Sequence, residues 1–148
     1  MICFVDHSIP SNAADLLAVQ IPAYRVEANL IGFEGIPQLK DGMEDIMKSG
    51  ETFIGYYIDS MLAGFVSFEE RESEIDICRL VVHPSYFRKG IGRALMGRLL
   101  ELNKRKHFIV STGSLNLPAR TLYKSLGFQE VKQEEVAAGV RISILRKS

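Results

Sequence analysis

Arg88-Lys89-Gly90-Ile91-Gly92-Arg93 combines cationic side chains with two glycines. Apolar residues then recur at Ile91, Ala94, Leu95, Leu99 and Leu102, one face of a helix. The basic stretch therefore lies at a helix N-terminus, where the first N–H groups have no intrahelical partner. Free amides, glycines that admit close approach and positive charge together make an anion site of the phosphate type. Upstream, Leu80-Val81-Val82 suits a strand buried on both faces, ended by Pro84, which has no N–H to donate. A dinucleotide fingerprint would need Gly or Ala at 95, which is Leu. A P-loop would need Lys and then Ser or Thr after Gly97, where Arg98-Leu99 stand. The same residues also fit a solvated helix start with a glycine turn.

The elements around this junction follow from apolar period and turn residues. Ile2–Val5 reads as a strand. Ser11 or Asn12 offers an N-cap for a helix over Ala13–Gln20, Pro22 breaks it, and Ala23–Leu30 forms a second piece. Two glycines and a proline make Ile31–Pro37 a loop, and Gln38–Lys48 has a helical pattern. Thr52–Ile58 and Met61–Glu69 form a hairpin across Asp59-Ser60, and Glu74–Val82 follows a charged turn. After the helix come a strand (His107–Thr112), a helix (Leu117–Ser125, with Pro118 in its first turn) and two strands (Phe128–Val136 and Val140–Leu145). Gly127 sits where a helix ends in the left-handed conformation. The order β, helices, βββ, α, β, α, ββ predicts an α/β fold: a mixed central sheet flanked by helices, with one crossover helix after the basic loop.

Composition narrows the function classes. The 148 residues fit one domain over 1–148 that can bury a real core. Eighteen basic and 18 acidic residues leave net charge +0, so no global field favours nucleic acid or an anionic membrane. The run Asn103-Lys104-Arg105-Lys106 suits a helix C-terminus, and no interleaved aromatics support a nucleic-acid surface. No apolar run spans a bilayer, and the first residues lack a secretory signal. Cys3 and Cys78 have no metal-ligand spacing. Two lone thiols fit a reduced, cytoplasmic setting, with Cys78 a small hydrophobe in a strand.

Two segments carry a family resemblance. Phe87-Arg88-Lys89-Gly90-Ile91-Gly92 resembles the pyrophosphate loop of the GNAT superfamily of acetyl-CoA-dependent N-acetyltransferases, Arg/Gln-x-x-Gly-x-Gly/Ala. Phe87 stands where that family usually has Arg or Gln. Asn116 to Phe128 resembles the family's second cofactor motif, Asn-x-x-Ala-x-x-x-Tyr-x-x-x-Gly-Phe. The likeness extends over roughly residues 52–146 and more loosely over the N-terminal helices.

The resemblance implies acetyl-CoA as cofactor and a GNAT-like fold. It places the acetyl carbonyl on the backbone N–H of Leu80 and the pantetheine arm along Val82, with Val81 between them. The amides of Arg88, Lys89, Gly90, Ile91, Gly92 and Arg93 would hold the pyrophosphate, and Asn116 the pantetheine region. Attack of an amine on a thioester yields an oxyanion and then a thiolate, so the site needs approximation, oxyanion donors and proton handling. By motif position Tyr123 is the general acid, since a phenol is protonated at neutral pH. Its alternative is a half-buried structural tyrosine. Asp76 lies four residues before Leu80, where some relatives carry a glutamate base, and Glu74 shares its face by strand alternation. Both also fit solvated edge carboxylates. His83 reads as a turn histidine, and His7 and His107 as surface or cap residues.

The acceptor side is the least legible. In the family it is lined by the N-terminal helices and the last hairpin, which makes Tyr24, Glu27, Glu34 and Tyr56 the candidates. Carboxylates among them would suit a cationic amine. The expected activity is acetyl transfer to the primary amine of a small molecule. A protein or peptide acceptor, and a non-catalytic acyl-CoA-binding module, are the alternatives. Edge strands at the C-terminal hairpin invite pairing, so a homodimer is expected.

Overall fold

Strand alternation divides the apolar residues between the two faces of one sheet. In the computed structural model, which describes residues 1–148, seven strands run in the order β1-β2-β3-β4-β5-β7-β6. They are β1 (Ile2–Val5), β2 (Thr52–Ile58), β3 (Met61–Glu70), β4 (Glu74–Val82), β5 (His107–Gly113), β6 (Gln129–Ala137) and β7 (Val140–Lys147). The helices are α1 (Pro10–Ile31), α2 (Met43–Met47), α3 (Ile91–Leu102) and α4 (Leu117–Ser125). Neighbours such as Phe53 and Ile54, or Phe65 and Val66, enter opposite cores. Ile54, Val66, Ile77, Leu95, Leu99 and Phe128 belong to the core under α3 and α4. Phe53, Phe65 and Val81 join Leu16 and Val19 of α1 and Ile46 of α2 in the other. The mixed sheet with helices on both faces is the expected architecture.

Every strand pair is antiparallel except β4–β5, which α3 joins as a crossover. This parallel ladder runs only from Glu74↔His107 to Ile77↔Val110. Beyond it β4 stays with β3 as far as Gly64↔Val82, while β5 stays with β7 as far as Gly113↔Ile142. The sheet therefore splits between Leu80 and Ser111. Gly64 seats the start of α3 against this split: a Cβ there would meet Val81 O at 2.8 Å and Ile91 Cγ2 at 3.1 Å.

Three local expectations differ from the structure. Helix α1 is continuous from Pro10 to Ile31 with Pro22 inside it, and it starts from an extended Ile9 rather than from a Ser11 or Asn12 cap. Pro22 costs the hydrogen bond to residue 18. The buried stripe Leu16, Val19, Tyr24, Ala28 and Ile31 runs on past it, and this packing holds both halves to the sheet. Asn12 instead donates from Nδ2 to Asp6 O at 2.9 Å. The Gln38–Lys48 pattern splits into a 3-10 turn (Pro37–Lys40) and α2, with Asp41 and Gly42 extended between them. On α3, Met96 is buried and Leu102 is 51% exposed at the helix end.

The connection Asp59-Ser60 has φ of 49° and 66°, the left-handed pair that a two-residue hairpin turn requires. No helix is long and apolar enough to cross a membrane. The outer strand β6 presents exposed charges such as Lys132, Glu134 and Glu135, a pattern that blunts edge-to-edge pairing.

Candidate active site

The split between β4 and β5 opens into a cleft of about 940 Å³ that runs from the start of α3 to the second half of α1. On its β4 wall, His83 donates its N–H to Ala63 O at 2.8 Å. By ladder alternation, Leu80 and Val82 then direct their N–H groups away from β3, into the gap. A β-bulge opposite Ser67 and Phe68 precedes these residues and lies at Cys78–Arg79. Beyond the bulge Leu80 and Val82 pack toward the α3 face and Val81 toward α1.

The basic loop forms the end of the cleft. Arg88 and Gly90 adopt φ of 64° and 75°, and Gly90 is the N-cap of α3 without any side-chain cap. A left-handed Arg88 costs roughly 1–2 kcal/mol, so the surrounding turn must hold it there. Ala94 N–H reaches Gly90 O at 3.0 Å, and the N–H groups of Ile91, Gly92 and Arg93 precede the first intrahelical bonds. A Cβ on Gly92 would have only ordinary contacts, 3.5 Å to Leu122 and 4.0 Å to Val82. Nothing in the chain fills that space, so the residues present fit a bound diphosphate. Arg93 is braced by a 2.8 Å hydrogen bond from Nη2 to Ser125 Oγ. Arg88, Gly90, Ile91, Gly92 and Arg93 all line the cleft, while Lys89 stays on the outer side of the turn.

Tyr123 of α4 lines the cleft. It is 4% exposed, its ring lies 5.7 Å from that of Phe128, and its phenol makes no hydrogen bond within the chain. Burial and, after it, the charge of Glu27 push this phenol above its usual range. Asn116 lines the cleft and is hydrogen-bonded within the chain. Its Oδ1 accepts from Ala119 N–H at 3.2 Å, capping α4. Its Nδ2 donates to Glu27 Oε1 at 2.9 Å and to Thr112 Oγ1 at 3.3 Å. The Asn116 amide therefore orients Glu27.

Glu27 and Tyr24 come to the cleft from α1. Burial raises the Glu27 carboxyl above the ordinary range, and the hydrogen bond from Asn116 offsets part of that. Burial, and then Glu27, also raise the Tyr24 phenol. Glu27, Tyr24 and Tyr123 thus all line the cleft, and the Glu27 charge adds to the rise that burial gives both phenols.

The other candidates lie elsewhere. Asp76 and Glu74 do not reach the cleft. Asp76 Oδ2 pairs with Arg71 at 3.1 Å, and Glu74 pairs with Arg146 at 3.1 Å and Arg71 at 3.5 Å, all on the surface. Both sit in the closed part of the β4–β5 ladder, opposite Ile109 and His107. Asp76 lies four strand positions from Leu80, about 13 Å. Tyr56 packs on the α3 side of the sheet, and Glu34 is exposed. The 31–37 segment delivers Phe33 instead. Gly32 ends α1 at φ 70°, and the Phe33 ring folds back over Gly35, where a Cβ would lie 2.4 Å from Cζ. The pair of glycines was the legible signal, and it belonged to the aromatic ring.

On the β4 side of the cleft Arg79 is nearly buried. Its Nη1 donates to Gln20 Oε1 at 2.8 Å and lies 3.0 Å from Asp41 Oδ2. Its Nε lies 3.2 Å from Glu51 Oε1, a charge contact without hydrogen-bond alignment. Gln20 Nε2 donates onward to Gln38 O at 2.9 Å and Asp41 Oδ2 at 2.7 Å. Glu51, Glu69 and Cys78 place donor atoms within 4.8 Å of one another, an approach that sequence spacing does not reveal. Arg79 already supplies the counter-charge to Glu51. Burial and the nearby carboxylates push the Cys78 thiol up to about 12, which keeps it inert.

A family model for the acetyltransferase (GNAT) domain matches residues 23–148. The UPF0157 protein YqkA of Bacillus subtilis (strain 168) is 44% identical over 145 residues, 97% of this chain and 42% of that protein. The chain thus spans about two-fifths of that relative's length. The ribosomal-protein-S18-alanine N-acetyltransferase of Escherichia coli superposes with TM-score 0.78 at 16% identity, over 99% of this chain and 91% of that one. YncA of Salmonella typhimurium, solved with its cofactor acetyl-CoA, gives TM-score 0.76 at 18% identity, over 100% and 92%. At these identities the two structures establish a shared fold.

Proposed function

The chain belongs to the GNAT acetyltransferase family, and from that premise we propose that it transfers the acetyl group of acetyl-CoA to the primary amine of a small-molecule acceptor. One observation carries this reading. A single cleft joins the free amides at the start of α3, the unpaired β4 backbone at Leu80 and Val82, and the coupled pair Glu27 and Tyr123.

When bound, acetyl-CoA supplies an acetyl group activated as a thioester. The amides of Ile91, Gly92 and Arg93, with Arg88, hold the diphosphate. Val82 offers backbone pairing to an extended arm lying in the β4–β5 split. The Leu80 N–H, directed into the split, would be the donor to a thioester carbonyl oxygen held there. Glu27, with its basicity raised by burial, takes the proton that the acceptor ammonium must lose before attack. Tyr123, held protonated by the same surroundings, gives its proton to the departing sulfur. In this reading Glu27 fills the base position first sought at Asp76 and Glu74, and Asn116 positions it.

Thiol release from acetyl-CoA in the presence of a panel of small amines and short peptides tests the proposal. Amine-stimulated release with an acetylated small-amine product is expected. Cofactor binding without stimulation by any amine would make the chain an acyl-CoA-binding module. Release with peptides alone would make it a peptide acetyltransferase.

A further inference from the structure

Building on the transferase reading above, we infer that the acceptor is a monoamine: one ammonium carried on an apolar aliphatic or aromatic body. Four charged residues line the cleft: Arg79, Arg88, Arg93 and a single acid, Glu27. Arg88 and Arg93 stand at the start of α3, the end assigned to the diphosphate. Arg79 faces Gln20, Asp41 and Glu51, so its guanidinium is already matched.

The acceptor half has one carboxylate, Glu27, and its other polar side chains, Tyr24, Gln38 and Asn116 among them, are uncharged. Val26 and Leu30 of α1, Phe33 and Ile36 beyond it, and Val136 and Ile142 of the last hairpin form its walls. Two glycines make room for this lining. Gly35 admits the Phe33 ring, and a Cβ on Gly113 would lie 2.7 Å from Ile31 Cγ2.

Charge matching follows from this lining. One acceptor ammonium finds its counter-charge in Glu27, which Asn116 holds at 2.9 Å. A second ammonium would lose hydration against Leu30, Val136 or Ile142 with no carboxylate to meet it. An acceptor carboxylate would face Glu27 with no free cation in that half of the cleft. The geometry therefore disfavours polyamines and acidic amino acids. It favours an amine whose body is large enough to touch Phe33 and Leu30.

Calorimetric titration of the full chain in the presence of coenzyme A reads acceptor binding without turnover. The probes are 2-phenylethylamine, spermidine, aspartate and an alanine-initiated tetrapeptide. Binding of 2-phenylethylamine at least about tenfold tighter than each of the others is expected, with the same ranking in kcat/KM. Leu30 is 46% exposed at the cleft rim, so Leu30→Glu leaves the core intact. That variant should move the preference toward spermidine by about tenfold. Equal or tighter binding of spermidine, aspartate or the peptide, or an unchanged ranking in Leu30→Glu, overturns the inference. Preferential acetylation of spermidine would overturn it and leave the transferase reading standing. Tight binding of 2-phenylethylamine with no thioester consumed would keep the cleft's selectivity for a monoamine, sink the transferase reading and with it the amine's role as acceptor.

Discussion

Asn116 Nδ2 donates to Glu27 Oε1 at 2.9 Å, joining the cap of α4 to the C-terminal half of α1 across 89 residues of chain. The same Asn116 caps α4 through Oδ1, so the helix that carries Tyr123 and the carboxylate opposite it are set by one amide. That link ties Glu27 to the helix that carries Tyr123, the two residues to which the proposed mechanism gives the proton transfers. The amide's hydrogen bond offsets part of the rise that burial gives Glu27, so the carboxyl still lies above its ordinary range, and an arginine partner would lower it further.

Glu27 carries the first prediction. A base must be deprotonated, so the rate should rise with pH through a Glu27 pKa lying above the ordinary carboxylate range. Glu27→Gln should lower kcat by about 10²–10⁴-fold and abolish that acidic limb. The sign of the stability effect is opposite. A folded pKa raised above the unfolded one favours the protonated form, so its contribution is present at low pH and lost as pH rises through the folded value. Gln can still accept from Asn116, so this variant should melt at or above the wild-type temperature at pH 8. A flat kcat, or an acidic limb that persists in the variant, would remove Glu27 from the proton path.

Tyr123 gives the second. Its phenol is raised by burial and by Glu27, so it stays protonated throughout the neutral range and cannot itself give an alkaline limb there. No hydrogen bond within the chain is lost in Tyr123→Phe, so the melting temperature should hardly move. Coenzyme A affinity by calorimetry should be unchanged, with kcat down by about 10²-fold. Unaltered turnover would return Tyr123 to a packing role against Phe128.

The sequence is most readable where local rules act alone. Strands β2 to β7 follow from apolar period and from turn residues such as Asp59-Ser60 and Gly127, whose backbone conformations the residue types announce. The basic loop was legible for the same reason. Where distant partners decide, local rules mislead. Pro22 reads as a break, but the stripe from Leu16 to Ile31 overrides it by packing on the sheet. Asp41 leaves the helical pattern of 38–48 because Arg79 and Gln20 draw it away. Asp76 is placed in sequence like a base, yet the ladder to β5 is still closed at that point and Arg71 takes its charge. Glu27 was visible as a carboxylate near the acceptor, but its role depends on Asn116, which sequence distance hides.

The surface position of Asp76 and Glu74 makes a third prediction. Their partners are Arg71 and Arg146, and exposed ion pairs contribute about 0–1 kcal/mol. The double variant Glu74→Gln/Asp76→Asn should keep its kcat and its pH profile, with at most a small drop in melting temperature. A large fall in kcat with the fold intact would return the base to β4.

The two loop glycines should separate by what they serve. Gly90 holds φ 75°, so Gly90→Ala should cost about 1–2 kcal/mol of stability in a urea titration. Gly92 lies inside α3 with room for a Cβ beside Leu122, so Gly92→Ala should be neutral or slightly stabilising. The space its Cβ would take is the proposed diphosphate cradle. Coenzyme A affinity should therefore fall by about tenfold in Gly92→Ala. Full affinity in that variant would move the diphosphate away from the start of α3.

Arg79 carries the last prediction because it links the β4 bulge to the segment over the acceptor side. Its guanidinium meets Gln20, Asp41 and Glu51 while almost entirely buried. Removing one member of a buried charge set leaves the others uncompensated, at a cost of about 3–5 kcal/mol. Arg79→Met should show that loss in a urea titration. Adding Asp41→Asn and Glu51→Gln to Arg79→Met should recover part of it, since the stranded carboxylates are then gone. Gln20 and Asp41 hold the turn at Gln38, which lines the cleft, so amide exchange over residues 37–41 should quicken in Arg79→Met more than exchange in α3. An equal rise in both would mean that Arg79 stabilises the fold without positioning that turn.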